Sequence, residues 1–323
     1  MVVVSAADNR FALPLGVMLS TVLRNAPIDA VVHLYVLSDG IAPANRERVD
    51  RVVAMHGTGR TVTLTWIDAR KHSDTFAALK TTEFFSEAAY LRVLIPDLVS
   101  DRYDRAIYLD ADLVVERSLA PLWTHPFHGA PLLAVRDYSI QTVGHPKGLA
   151  RYRDLDLSRS QPYFNSGVLV LNLPAWRQSN TSDRVLEYAH RNRSVVSHAD
   201  QDGLNAILAR DWQPLDPRWN RQTGIDSLDR WPESDFRASV LAIREEVEND
   251  PYIDHFTGGD KPWHILSNHP SRDKFLRYLR ESGWFTPREF RMWQAVRRLR
   301  LPEQYLRRYT RPLRHRLREA LRS

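Results

Sequence analysis

Ile107-Tyr-Leu-Asp-Ala-Asp-Leu-Val-Val115 sets two carboxylates, Asp110 and Asp112, inside a run of aliphatic residues and one tyrosine. Such a run reads as a buried strand that presents acid groups at its carboxyl edge, and buried acid groups cost stability unless something compensates them. In a strand, residues i and i+2 point to one side, so both carboxylates can converge on one cation. An oxygen-lined site of this kind suits a hard ion such as Mg²⁺ or Mn²⁺. Two solvated acids where a strand runs into a loop would show the same residues in the same order, so the flanking chain has to decide between the readings.

Upstream, Val2 to Ser5 is a short β run, followed by the polar Ala6-Ala-Asp-Asn-Arg10 and by helical spacing of apolar residues from Ala12 to Leu23. Val31 to Leu37 and Thr61 to Ile67 are two more β-rich runs, and Pro43, in its favoured first turn, opens a helix to about Met55. Three β runs separated by helix-length segments predict βαβ units and a mostly parallel sheet with helices on both faces. Glu87 to Leu94 reads as helical. Downstream, Pro131 to Val135 ends in Arg136-Asp137, and Tyr163 to Asn172 is again β-rich. The polar stretch from Tyr138 to Pro162 between them has the length of a functional loop. Pro174 starts a helix carrying Trp176, Val185 and Leu186. Asp200 caps another helix reaching Leu208, with Leu204, Ile207 and Leu208 on one face. Residues 216–250 show no clear period and read as irregular.

The 323 residues suffice for one large domain or a domain with an appendage, and 43% hydrophobic and 26% charged content are ordinary for a globular protein. The absence of cysteine excludes disulfides, thiolate metal sites and a cysteine nucleophile. With no basic-apolar leader and no run of about 18 apolar residues, the expected place is the cytoplasm. Charge is unevenly distributed. Arg272 to Ser323 holds 16 Lys/Arg and 5 Asp/Glu, a net of +11, which leaves 6 − 11 = −5 for residues 1–271. The expected division is therefore a domain over 1–270 and a basic, aromatic-rich helical tail over 271–323, in two pieces broken at Pro302 and Pro312. Arginines interleaved with Trp284, Phe290, Trp293, Tyr305 and Tyr309 suit an amphipathic surface helix drawn to anionic lipid head groups. A helix docked on the domain with a solvated basic face is the alternative. Nucleic acid is not an expected partner, because no recognised binding module accompanies the charge.

Six ordered segments over about 260 residues resemble the family 8 retaining glycosyltransferases, which include bacterial lipopolysaccharide galactosyl- and glucosyltransferases and glycogenin. They are Ser5-Ala-Ala-Asp-Asn9, Ala89-Tyr-Leu-Arg92, Tyr108-Leu-Asp-Ala-Asp112, Tyr163-Phe-Asn-Ser-Gly167 with Asn172, Asp200-Gln-Asp202 with Asn205, and His255-Phe-Thr-Gly-Gly-Asp-Lys-Pro-Trp263. The resemblance implies an α/β GT-A fold, a single Rossmann-like mixed sheet flanked by helices, in which ligands sit beyond the carboxyl ends of the strands. It implies a UDP-hexose donor (galactose or glucose), a glycan or glycolipid acceptor such as lipopolysaccharide, and Mn²⁺, with Mg²⁺ an alternative. Asp110 and Asp112 match the metal pair and His255 the third ligand, with Ala111 between the acids. Lys261 and Gly258 match residues that face the leaving diphosphate. Ala6, Ala7, Asp8 and Asn9 match the loop that holds uracil and ribose. Arg92 matches an arginine on donor phosphate or sugar, and Asp137, Asn165, Ser166, Asp200 and Gln201 match positions around the transferred sugar.

Some of these residues have a purely structural alternative: an N-cap for Asp8 or Asp200, a helix-face ion pair for Arg92, a turn residue for Asn165. For retention of configuration, the resemblance implies that Gln201 lies on the sugar's back face, and glutamine is a poor nucleophile. Front-face attack is therefore favoured over a covalent route through Asp200. The chain departs from the family pattern at Arg10-Phe11 and at Ser166, often alanine in bacterial galactosyltransferases, and the Tyr138–Pro162 loop matches nothing. Two other readings compete. A haloacid dehalogenase-type phosphatase shares Asp-x-Asp-x-Val but carries it on the first strand. A catalytically silent nucleotide-sugar or carbohydrate-binding protein would keep the same residues without turnover.

Overall fold

The computed structural model describes residues 1–72 and 87–297. Val2–Asp8 (β1), Val31–Asp39 (β2) and Thr61–Asp68 (β3) form where the β-rich runs stand, joined by the helices Ala12–Asn25 (α1) and Pro43–His56 (α2). The remaining strands are Arg105–Leu109 (β4), Leu113–Val115 (β5), Leu132–Arg136 (β6), Phe164–Asn172 (β7), Trp212–Pro214 (β8), Arg221–Gln222 (β9) and Ile253–His255 (β10). A seven-stranded sheet runs β3-β2-β1-β4-β7-β6-β8, and a three-stranded sheet runs β5-β10-β9. β1 lies parallel to β2 and β4, whereas β7 runs antiparallel to both β4 and β6. Alternation along β1 divides the core: Val3 faces α1 and α2, and Val2 and Val4 face the layer holding Tyr90, Val93, Trp176 and Leu204. Helices thus cover both faces, as an α/β sheet of apolar strands requires.

Several expectations need correction. The opening stretch is not one strand to Val115. β4 ends at Leu109, Asp110-Ala-Asp112 turns, and the chain enters the small sheet as β5. The backbone remains paired across the turn, because Asp110 N–H donates to Gly167 O (2.8 Å) and Phe256 N–H to Asp112 O (3.0 Å). The two carboxylates therefore sit on the turn that joins two sheets, not on i and i+2 of a strand. Glu87–Leu94 is helical as expected, in the 3₁₀ form. Residues 216–250 are ordered as short elements, among them the 3₁₀ turn Pro217–Asn220 capped by Asp216 and the helix Asp235–Ala242 capped by Ser234. Elements of this length show no sequence period. The helix after Ser197 is Ala199–Leu208, with Asp200 inside its first turn rather than at its N-cap; Asp202 accepts from the N–H groups of Ser197 (2.7 Å) and His198 (3.0 Å), which precede the helix.

The Tyr138–Pro162 loop closes on itself through a Thr142–Pro162 bridge and packs Ile140, Val143, Leu149 and Leu157 with Ala206 and Ala209. At the C-terminal end, helix Arg272–Glu281 and residues 287–297, also helical, pack on the domain. Phe275, Leu279, Trp284 and Phe290 belong to the same buried cluster as α1 and α2. Trp284 fills the space beside Gly16, where a Cβ would lie 2.5 Å from its ring. The tail breaks at Pro302 and Pro312 lie outside the described residues. Because Trp284 is 3% exposed, Trp284→Ala opens a cavity against α1 and is expected to cost about 3–5 kcal/mol in urea unfolding. A loss below about 1 kcal/mol would show that this segment is not part of the core.

Candidate active site

The parallel strands β1, β2 and β4 end at one edge of the large sheet, and the residues of interest gather there. Antiparallel pairing of β10 with β5 sets His255 opposite Leu113, one residue past Asp112. His255 Nε2 lies 3.7 Å from Asp110 Oδ2 and 3.4 Å from Asp112 Oδ1. The three ligand atoms lie within 4.8 Å of one another, and the histidine–carboxylate spacings of 3.7 and 3.4 Å are ones that a cation with bonds of about 2.1 Å can bridge. Two carboxylates and an imidazole, largely shielded from water, fit a hard divalent ion that also accepts nitrogen.

Positive side chains surround this acid pair. Lys261 Nζ binds Asp112 Oδ2 and the carbonyl of Phe256. Burial opposes ionisation of Asp112, but the charges of Lys261 and His255 outweigh it and hold the carboxyl well below the usual range. Arg92, 6% exposed, reaches Asp110 Oδ1 (3.0 Å) and Asp200 Oδ2 (3.0 Å), donates to Ser166 O (2.6 Å), and lies over the Tyr108 ring at 4.5 Å. Its Nε hydrogen points to Ala89 O (3.0 Å), so the contact with Asp200 is an ion pair without an aligned hydrogen bond. Burial disfavours the guanidinium charge, yet Asp110 and Asp200 over-compensate and keep it protonated. Tyr108 O–H donates to Asp110 Oδ1 (2.8 Å).

A second group adjoins it through Ser166. Gln201 Oε1 accepts from Ser166 N–H (3.0 Å), and its Nε2 donates to Asp137 Oδ2 (3.1 Å). Asn165 Nδ2 donates to the same oxygen (3.0 Å). Asp200 is brought under Arg92 by Ala199, whose φ of +48° places it in the left-handed region at a cost of about 1–2 kcal/mol. Burial pushes the Asp200 carboxyl up to about 6, against the pull of Arg92.

Ala6 and Ala7 lie in β1, which ends at Asp8 on the same sheet edge. Asp8 does cap the following turn, accepting from Arg10 N–H (2.8 Å) and Phe11 N–H (3.2 Å), and it pairs with the Arg10 guanidinium. Asn9 Oδ1 accepts from Ala42 N–H (2.9 Å) and Asn45 Nδ2 (2.9 Å), which ties the loop to α2. Phe11 meets Trp263 edge-on at 5.8 Å and so joins this loop to the segment that carries Lys261. Gly258 needs to be glycine for its φ of +89°, with open space where a Cβ would lie. Ala111 is buried at the centre of the turn.

The glycosyl transferase family 8 model matches residues 2–267. The chain belongs to that family. General stress protein A of Bacillus subtilis (strain 168) is 31% identical over 289 residues, covering 88% of this chain and 94% of its own. Lipopolysaccharide 1,3-galactosyltransferase of Salmonella typhimurium is 27% identical, covering 86% of this chain and 77% of that one. The crystal structure of the galactosyltransferase LgtC with donor and acceptor sugar analogs aligns with a TM-score of 0.73 at 24% identity, over 91% of this chain and all of that one. This family 8 member therefore has the GT-A fold, a large, mostly parallel sheet flanked by helices.

Two site residues receive no role from the sequence, although Gly167 ends one of the family segments. Gly167 is the point of closest approach: a Cβ there would lie 2.2 Å from His255 Cε1 and 2.8 Å from Asp110 Oδ2. Asn220, fully buried, contacts His255 Nδ1 through Oδ1 at 2.9 Å. Gly167→Ala is expected to displace the imidazole and weaken Mn²⁺ binding by at least tenfold in calorimetry, with the thermal melt moving far less; unchanged affinity would show that the site has room to spare. A native carboxyl at about 6 against an ordinary 3.8 means that the folded chain binds more protons than the unfolded one between those values. Asp200 therefore lowers stability as pH rises from 4 to 6, by roughly 2–3 kcal/mol once ionised. Asp200→Asn should be more stable relative to wild type at pH 7 than at pH 4 in urea unfolding, and a pH-independent difference would contradict the shift.

Proposed function

We propose that this family 8 glycosyltransferase moves a hexose, galactose or glucose, from a UDP-sugar to a lipopolysaccharide or other surface-glycan acceptor, with retention of anomeric configuration. The convergence of Asp110, Asp112 and His255 at the edge where β1 and β4 end carries the reading. These three residues would hold Mn²⁺, and the ion would supply positive charge to a departing UDP diphosphate. Lys261 adds a second positive charge there, and Gly258 lets backbone approach the phosphates. Asp8, Asn9 and the residues before them would hold the nucleoside, in line with their place at the end of β1. Asp137, Asn165, Ser166 and Gln201 form the hydrogen-bonded surface against which the sugar would lie. Arg92 keeps Asp110 in place while neutralising Asp200.

Asp200 Oδ2 has no accessible surface and rests against Arg92, which speaks against its acting as a covalent nucleophile. Gln201 offers an amide already engaged by Ser166 and Asp137. Both observations favour front-face attack by the acceptor. Among the described residues no helix is long and apolar enough to cross a membrane. The basic C-terminal residues would draw the enzyme to anionic lipid at the cytoplasmic face, supported by exposed Met292 and Val296 on the helical stretch 287–297.

UDP release with UDP-Gal, UDP-Glc, UDP-GlcNAc and UDP-GalNAc, with and without Mn²⁺, tests the assignment. Metal-dependent release is expected from UDP-Gal or UDP-Glc, reduced at least a hundredfold in Asp110→Asn; full activity of that variant would sink the catalytic reading. Deleting residues 298–323, which carry nine arginines against two glutamates, is expected to abolish sedimentation with anionic vesicles. Retained sedimentation would contradict the membrane assignment.

A further inference from the structure

We propose that Asn220 is a positioning residue that holds His255 in the tautomer protonated on Nδ1, and that its own orientation is dictated from Asp137 through Asn165. This builds on the reading of Asp110, Asp112 and His255 as a cation site.

The orientation follows from groups that can play only one part. Gly167 N–H can only donate, and it donates to Asn165 Oδ1 (3.0 Å). Asp137 has backbone donors from Ser139 (2.8 Å) and Ile140 (2.7 Å) on Oδ1, so it is held as an acceptor, and Asn165 Nδ2 donates to its Oδ2 (3.0 Å). Both ends of the Asn165 amide are thus fixed. Asn165 Oδ1 has a second lone pair, which accepts from Asn220 Nδ2 (2.9 Å). With its NH₂ committed to Asn165, Asn220 can turn only Oδ1 toward His255, and His255 Nδ1 must then be the donor across the 2.9 Å contact. The Nε2 lone pair is left facing Asp110 Oδ2 and Asp112 Oδ1, as a metal ligand requires.

Burial makes the device stringent. Asn220 is 0% exposed, His255 4% and Asn165 8%, so no solvent stands ready to replace a lost partner. The same Asp137 oxygen accepts from Gln201 Nε2 (3.1 Å), which turns Gln201 Oε1 to Ser166 N–H (3.0 Å). One carboxylate therefore sets the facing atoms of Gln201 on one side and of His255 on the other. The segment holding Asn220 is anchored separately: β9 pairs with β10, and Arg221 bridges to the fully buried Asp254 at 2.9 Å, next to His255 in the chain.

Two measurements on the full chain test this. In the first, ¹⁵N-histidine labelling of metal-free wild-type protein reads the His255 tautomer, at a pH well above the ordinary imidazole range. The Nδ1–H form is expected, and the Nε2–H form would overturn the proposal with no variant needed. In the second, Mn²⁺ alone is titrated and followed by electron paramagnetic resonance. Asn220→Ala is expected to raise the dissociation constant about 10–100-fold. Asn220→Asp, which can still accept from Nδ1–H but no longer donates to Asn165, is expected to recover only part of the affinity lost in Asn220→Ala, a partial rescue that a merely space-filling role would not give. His255→Ala is the control. If His255→Ala loses Mn²⁺ and Asn220→Ala does not, the proposal fails and the cation site stands. If His255→Ala binds as wild type does, the site reading fails and takes the proposal with it.

Discussion

Two aspartates share the turn between β4 and β5, and their charges cannot remain half-buried without compensation. Asp110 is met by Arg92 and by the Tyr108 hydroxyl, Asp112 by Lys261, and both face His255. The backbone that presents them belongs to neither sheet. It is held by Gly167 from the large sheet and by Phe256, the residue after β10 of the small one, so the acid pair is the hinge on which the two sheets meet. The residues that make the site chemically useful are thus also those that relieve its electrostatic cost. A positive charge already sits on Asp112 in the form of Lys261.

The shell behind the acids is directional, built from one carboxylate and three amides. Asp137, Asn165, Asn220 and Gln201 carry one consistent pattern of donors and acceptors through the interior, from the sugar side to the metal side. In a buried setting such a chain is stable only when every member is satisfied. Here the pattern leaves the Nε2 lone pair of His255 facing the place where the cation is proposed to lie.

What the sequence made legible was the apolar periodicity. β1 is a near-continuous buried run, β2 and β3 are β-rich runs, and α1 and α2 carry helical spacing with a first-turn proline in α2, so the βαβ order could be read directly. The site residues were legible through resemblance, as ordered short segments. Hidden from both were features that depend on closeness in space. The break at Asp110 is invisible because Leu113–Val115 is as apolar as the strand before it, the pairing of β5 with β10 joins residues far apart in sequence, and Asn220 sits in a 3₁₀ turn too short for any pattern. Helix Arg272–Glu281 reads as part of a charged tail, although Phe275 and Leu279 bury against α1 on the far side of the chain.

The central claim is that Asp110, Asp112 and His255 hold one divalent cation against a nucleotide diphosphate. Anomalous scattering from crystals grown with Mn²⁺ and UDP tests it most directly. The account predicts a single strong peak about 2.2 Å from one atom of each of the three residues, with the diphosphate on its open side. A peak elsewhere, or UDP bound at this edge with no manganese among these residues, would contradict it.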